Sequence, residues 1–337
     1  MTQTLLTGIK PTGTPHLGNY AGAIKPTCVL AAAPDTRSFL LIADGHALNA
    51  IREPEKLRGH VSEVAATYAA FGLATGRSVL FRQSDVSEIF QLANILACYC
   101  GKGMANRAHA YKAAVARNIE AGKSEPDAGI NMGLFTYPLL MSADILAFDT
   151  DIVPVGSDQR QHVELTISLA QSLNSAVGLN SAVGKAVRIP TVRIDESTAT
   201  LPGLDGRKMS KSYNNTIPLF CTREQLRKHI RRVQTDSRRP GEPGDAETCA
   251  LYKLYGAVAS KAELKAMREE YAAGTGYAVL KDQVFEALDS ALAAPRERYL
   301  AFSADRESLA TTLAQGAEQA REVAQPVLAR VRRAVGL

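Results

Sequence analysis

Two short strings in this chain could handle a polyphosphate. Pro11-Thr12-Gly13-Thr14-Pro15-His16-Leu17-Gly18-Asn19 follows a short apolar stretch, Thr4 to Thr7, and precedes a helix expected from Asn19. Backbone N–H groups and a helix N-terminus can there face a phosphate, and Gly13 and Gly18 let the backbone come close to it. Far downstream, Lys208-Met209-Ser210-Lys211-Ser212 sets two lysines three positions apart in a polar loop, read here as too flexible for core. Taken singly, His16 is an ordinary structural histidine and the lysine loop an ordinary solvated one. Their order, a histidine turn after the first strand and a lysine loop after the last, points to adenylate-forming chemistry.

A third group concerns a substrate other than the nucleotide. In Tyr-Pro-Leu-Leu-Met-Ser-Ala-Asp from residue 137, Tyr137, Met141 and Asp144 fall at i, i+4 and i+7 and share one helix face. Asp144 is thereby presented beside apolar groups. It could accept a hydrogen bond from a ring N–H and reject ligands lacking that donor, or it could cap or pair internally. Met141 and Leu6 suit either core or a pocket wall. After the strand Asp151 to Val155, the turn Gly156-Ser157-Asp158-Gln159 opens the next helix, making Asp158 an N-cap candidate, a place compatible with ligand contact as well. His46, after the second strand, either borders the same pocket or packs structurally.

These groups need a scaffold that brings strand ends to one edge. Apolar runs at Thr4–Thr7, Ser38–Ile42, Ser78–Arg82, Asp151–Val155 and Ala186–Pro190 read as strands, with helices at 19–32, 54–73, 87–101, 137–147 and 158–172 between them. That alternation is a Rossmann-like, doubly wound parallel sheet. Beyond Ser212 no strand is visible. Amphipathic segments at 222–234, 245–259, 261–272, 278–293 and 305–334 make the second domain all helical, with Pro240 to Gly244 as a loop between helices. The expected division is a nucleotide-binding domain over 1–215, a helical domain over 216–304, and a C-terminal helix over 305–337 packing back on the first.

At 337 residues and 46% hydrophobic content, the chain can bury a sizeable core. No apolar run approaches the roughly 20 residues of a membrane span, and the start lacks a secretion pattern, so a cytoplasmic location without membrane association is expected. The five cysteines are scattered without CxxC spacing, which suggests neither a disulfide framework nor a zinc knuckle; Cys98 and Cys100 alternate as if packed. The net charge is +5, but Arg223, Arg227, Lys228, Arg231, Arg232, Arg238 and Arg239 face only Glu224 and Asp236 within 222–240. Such a run is a solvated helix face or a phosphate contact.

The two strings resemble the "HIGH" and "KMSKS" elements of class I aminoacyl-tRNA synthetases. With residues 7–24 and 137–166, the triplet at 235–237 and the string at 274–281, the chain resembles bacterial tryptophanyl-tRNA synthetases from about Leu6 to its end. The resemblance implies activation of L-tryptophan by ATP, with Mg²⁺ carried on the phosphates, and transfer to tRNA(Trp). Lys208, Ser210, Lys211, His16 and Thr12 would be catalytic. Lys10, Pro11, Thr12, Gly18, Asn19, Gly156, Ser157, Asp158 and Met209 would join the lysine loop in binding ATP. Leu6, Gly8, His46, Tyr137, Met141, Asp144 and Gln159 would line the tryptophan site, with Tyr137 and Gln159 on its ammonium group. The same resemblance implies a homodimer, whose face is sought in the apolar segment 86–104, and tRNA contact by the basic stretch 222–240. Lys10 stands where many relatives have glutamine, and Ser157 where an acidic residue is common. A tyrosyl-tRNA synthetase and a non-charging paralogue that binds tryptophan and ATP are the competing readings.

Overall fold

The computed structural model describes residues 2–106, 108–156, 159–178, 185–194 and 200–337. Its sheet has five parallel strands, β1 (Gln3–Ile9), β2 (Thr36–Ile42), β3 (Ser78–Arg82), β4 (Ile152–Val155) and β5 (Thr191–Ile194), in the order β3-β2-β1-β4-β5. Successive strand side chains point to opposite faces. Phe39, Leu41, Val79 and Phe81 therefore enter one hydrophobic cluster, while Leu40, Ile42 and Leu80 enter another. A continuous apolar run feeds two cores at once, and helices must cover both faces of the sheet. The chain winds outward from β1 to β3, then returns to β4 and β5. The strand order reverses between β1 and β4, and the crevice at their carboxyl ends is the switch point of a Rossmann-like α/β fold. Asp151 ties β1 to β4 at their amino-terminal ends, away from that crevice: its N–H donates to the Thr4 carbonyl and its carboxylate accepts the Thr4 N–H, both at 2.8 Å.

One cluster unites helix Pro54–Ala70 with the helical half, namely Arg223–Arg232, Ala250–Gly256, Lys261–Ala272 and Tyr277–Ala304. The other lies under helices Ser87–Tyr99, Met132–Leu146 and Arg160–Gly178. The last helix, Arg306–Val335, belongs to both, with Leu309 and Leu313 in the first cluster and Ala317 to Val331 in the second. It crosses at the free edge of the sheet. There Gly316 lies so close to β3 that a β-carbon would overlap the Leu80 carbonyl oxygen.

Several sequence expectations are corrected. The apolar run 186–190 is not a strand. Asn174 takes both polar groups of Val187, donating to its carbonyl at 2.8 Å and accepting its N–H at 3.0 Å, and the fifth strand forms at Thr191–Ile194 instead. The helix expected from Tyr137 begins at Met132, because Asn131 caps it by accepting the Leu134 N–H at 2.8 Å and Pro138 is tolerated within. The first helix starts at Leu17 and passes through a wider turn at Tyr20–Ile24 before ending at Ala31. The segment 245–259 divides into a short turn, Ala246–Thr248, and helix Ala250–Gly256, whereas the helix expected at 278–293 runs on to Ala304. Cys98 is exposed rather than packed, since a helical period, not an alternating one, sets its direction. Among the described residues no helix is long and apolar enough to cross a membrane.

Candidate active site

The turn 11–19 is built at the end of β1. Gly13 there has φ +131, a conformation that side chains with a β-carbon rarely adopt. The Asn19 side chain accepts the His16 N–H at 3.1 Å, which fixes where the helix starts. The lysine loop is ordered and partly core, contrary to its polar composition. Met209 is buried and donates its N–H to the Leu201 carbonyl at 2.8 Å. Asn215, 2% exposed, holds the loop from inside: it accepts the Ser210 N–H at 2.8 Å and donates to the Lys208 carbonyl at 3.1 Å and to Asp205 at 2.7 Å. Ser210 accepts the Ser212 N–H and starts a short turn, Lys211–Tyr213.

The two strings are joined directly. Leu17 N–H donates to the Ile217 carbonyl and Leu219 N–H to the Pro15 carbonyl, each at 3.0 Å, and Gly18 N–H points at the Met209 sulfur at 3.3 Å. Lys211 then lies over Gly13, where a β-carbon would stand 3.2 Å from its Nζ. Burial lowers the Lys211 amine from its usual value, opposed by the Glu63 carboxylate, and burial likewise lowers Lys10. His16 is pushed down to about 4, first by burial and then by the Lys211 charge. It is neutral near pH 7. Its Nδ1 is buried with no hydrogen-bond partner among the described residues. Lys10 and Lys211 are exposed as whole side chains, and amines only partly desolvated beside backbone donors favour the arrival of an anion. Lys208 is exposed, and among the described residues its amine has no bonded partner.

The carboxyl ends of β2 and β3 and the helix Met132–Leu146 supply the second half. Asp144, 3% exposed, is held on both oxygens: Gln83 Nε2 donates at 2.7 Å and His46 Nε2 lies at 2.9 Å. His46 is thus both a packed residue and a neighbour of Asp144. Its ring meets Tyr137 edge-on at 6.3 Å between centroids, and the Tyr137 hydroxyl is 2.8 Å from His162 Nε2. Burial raises the Tyr137 phenol above its usual value. Met141 is partly buried against the second core cluster, which also takes Leu6. Gly8 pairs with Leu41 within the sheet, Pro11 is buried and Thr12 is exposed. The Gln159 N–H donates to the Gly156 carbonyl at 3.0 Å. Ser157 and Asp158 lie outside the described residues. The participant missed from sequence is Gln83, whose only signal is an uncharged amide immediately after a strand's carboxyl end.

The basic stretch is not uniformly available. Arg223 pairs with Glu286 at 2.8 Å and with Asp289, Arg227 pairs with Glu286 at 3.2 Å, and both lie over the Phe285 ring. Arg238 donates to the Glu242 and Thr275 carbonyls and covers Tyr271 and Tyr277. Lys228, Arg231, Arg232 and Arg239 stay exposed. In the segment 86–104, Ile89, Leu92, Ile95 and Leu96 are spent on the core, leaving Phe90 as its large exposed apolar side chain, 40% accessible. Among the described residues no three His, Cys, Asp or Glu side chains converge as metal ligands.

Comparison with known proteins agrees with this geometry. The profile of the tRNA synthetases class I (W and Y) matches residues 2–293. The whole chain aligns at 48% identity with 74% of the Pseudomonas aeruginosa tryptophan–tRNA ligase and, equally at 48%, with 76% of that of Xylella fastidiosa. The tryptophanyl-tRNA synthetase of Campylobacter jejuni, solved with ADP and tryptophan, superposes with a TM-score of 0.84 at 35% identity, over 99% of this chain and all of the other. A glycine-bearing turn tied to a lysine loop on a doubly wound sheet, matched along its length to such relatives, means that the chain belongs to the class I tRNA synthetases for tryptophan and tyrosine.

Proposed function

We propose that the chain is a tryptophan–tRNA ligase that uses ATP in two steps at one site. A carboxylate oxygen of L-tryptophan attacks the α-phosphorus of ATP, the bond to the bridging oxygen breaks, and pyrophosphate leaves. A hydroxyl of the terminal tRNA ribose then attacks the adenylate carbonyl, and AMP departs. Neither step requires a strong base, so alignment and well-placed charge must supply the acceleration. The observation that carries this reading is the joining of the turn 11–19 to the lysine loop, with Lys211 over Gly13.

In this reading Lys211 and Lys208 meet the leaving pyrophosphate, with Mg²⁺ travelling on the nucleotide as part of the substrate. Thr12, His16, Asn19 and the Gly18 backbone steady the phosphates with Lys10 and Ser210, while Asp158 holds the ribose. Asp144 accepts the indole N–H, and Tyr137 and Gln159 receive the ammonium group. The ADP and tryptophan named for the Campylobacter jejuni relative support both ligands. Charging of tRNA(Trp) sets the work in the cytoplasm. A homodimer would use the exposed Phe90, which lies over Gly45, as part of its face. Pyrophosphate exchange with each amino acid, followed by charging of total tRNA, tests the reading. Exchange that depends on tryptophan with charging of one tRNA species supports it. Exchange with tyrosine alone would make it a tyrosyl enzyme, and exchange without charging a paralogue that no longer serves translation.

A further inference from the structure

The Asp144 carboxylate has an unassigned partner. Gln83 is fully buried, at the first position after β3, and its amide spans two groups at once. Its Oε1 accepts the His46 backbone N–H at 3.2 Å, and its Nε2 donates to Asp144 Oδ1 at 2.7 Å. The backbone donor settles the orientation: an N–H can face only the oxygen, so the NH₂ must face Asp144. The turn that carries Gln83 is itself pinned, because Asp44 accepts the Ser84 N–H at 3.0 Å and the Ser84 hydroxyl. With His46 Nε2 on the other oxygen at 2.9 Å, each Asp144 oxygen has one lone pair occupied and one left for a ligand.

We infer that Gln83 is a positioning residue for substrate selection: it locks the Asp144 carboxylate as an acceptor aimed at a ring N–H. This rests on the tryptophan reading above. A carboxylate held from one side only would turn toward other donors or toward water, and a ring N–H would gain less from it than from a fixed acceptor. The effect is confined to substrates bearing that donor. An analogue with sulfur in place of the ring N–H gains nothing from the lock and loses nothing when it is removed.

The test is kcat/KM in pyrophosphate exchange for tryptophan and for the sulfur analogue, in the unaltered protein, Gln83→Glu and Gln83→Met. The first variant keeps an acceptor for the His46 N–H but replaces the fixed NH₂ donor with a second carboxyl group against Asp144; the second removes both donor and acceptor. We expect tryptophan to lose roughly tenfold to a hundredfold, mainly in KM, with the analogue changing less than about threefold. The ratio of the two substrates in one preparation does not depend on how much of the protein is folded. An equal loss for both substrates, an unchanged ratio, or failure of both variants to fold would make Gln83 merely structural and overturn the assignment. If the unaltered protein does not exchange with tryptophan, the functional reading falls instead, so the two failures are distinguishable.

Discussion

Lys211 is exposed as a residue, but its amine is crowded against Gly13 and partly desolvated, a cost marked by its lowered pKa. The anion that best repays the cost is one whose charge grows during reaction. Lys211→Ala should therefore slow adenylate formation by roughly a hundredfold, about 3 kcal/mol of transition-state stabilisation, while tryptophan affinity changes little. Stopped-flow formation of the adenylate and equilibrium binding of tryptophan check this, and equal losses in both would refute the role. His16 makes a second prediction. Its pKa is about 4 in the folded chain against 6.5 ordinarily, so between those values the unfolded state binds more protons. The stability it confers is complete above pH 6.5 and is lost as the pH falls toward 4. His16→Gln should flatten the fall in Tm between pH 7 and pH 5. A fall of the same size in both proteins would mean that His16 is not the titrating group.

At the level of elements, the free edge of β3 is closed by the last helix, and the closure depends on one missing side chain. Gly316 lets the helix pass over the Leu80 backbone while Leu313 and Ala317 enter cores on opposite faces of the sheet. Arg321 with Glu88 at 3.3 Å, and Arg330 with Asp149 at 2.6 Å, hold it beyond the crossing. Gly316→Ala should cost about 2 kcal/mol or more by overpacking, although alanine is the better helix former; a thermal melt at or above the parent Tm would disprove the contact. A C-terminal helix packing back on the first domain was expected from the sequence, but the crossing at Gly316 was not legible there, where Gly316 is one small residue in an Ala-rich helix. What was legible follows local rules. The runs of β2 and β3 are apolar because both faces are buried, and the helix at 261–272 is announced by Ser260 and its capping box with Glu263. The errors arose where a distant side chain decides. Asn174 satisfies the backbone of Val187 and displaces β5, and Gln83 enters the site through a fold that brings β3 beside β2 and the helix Met132–Leu146. The start of the helix at Met132, ahead of the expected Tyr137, follows from the Asn131 cap.

Across the whole molecule, one core cluster runs from the sheet into the helical half, so the cations of 222–240 are carried on elements packed into the same core as the sheet. They divide into two kinds. Arg223, tied to Glu286 and Asp289, serves the packing of helix Arg223–Arg232 on Tyr277–Ala304, whereas Arg231 and Arg232 project outward without acidic partners among the described residues. Phosphate contacts by exposed arginines release counterions, and their loss lowers the salt dependence of binding by about 1 in log–log slope per contact. The double variant Arg231→Ala, Arg232→Ala should raise the KM for tRNA and flatten its salt dependence, leaving tryptophan-dependent pyrophosphate exchange intact. Arg223→Ala should instead lower Tm modestly, because the side chain is half exposed and its ion pairs are screened. Its tRNA affinity should stay near that of the parent once the protein is folded. Charging assays over a range of salt, paired with thermal melts, separate the two, and an Arg223 variant that loses tRNA affinity with unchanged Tm would reverse the assignment of structural and ligand-facing cations.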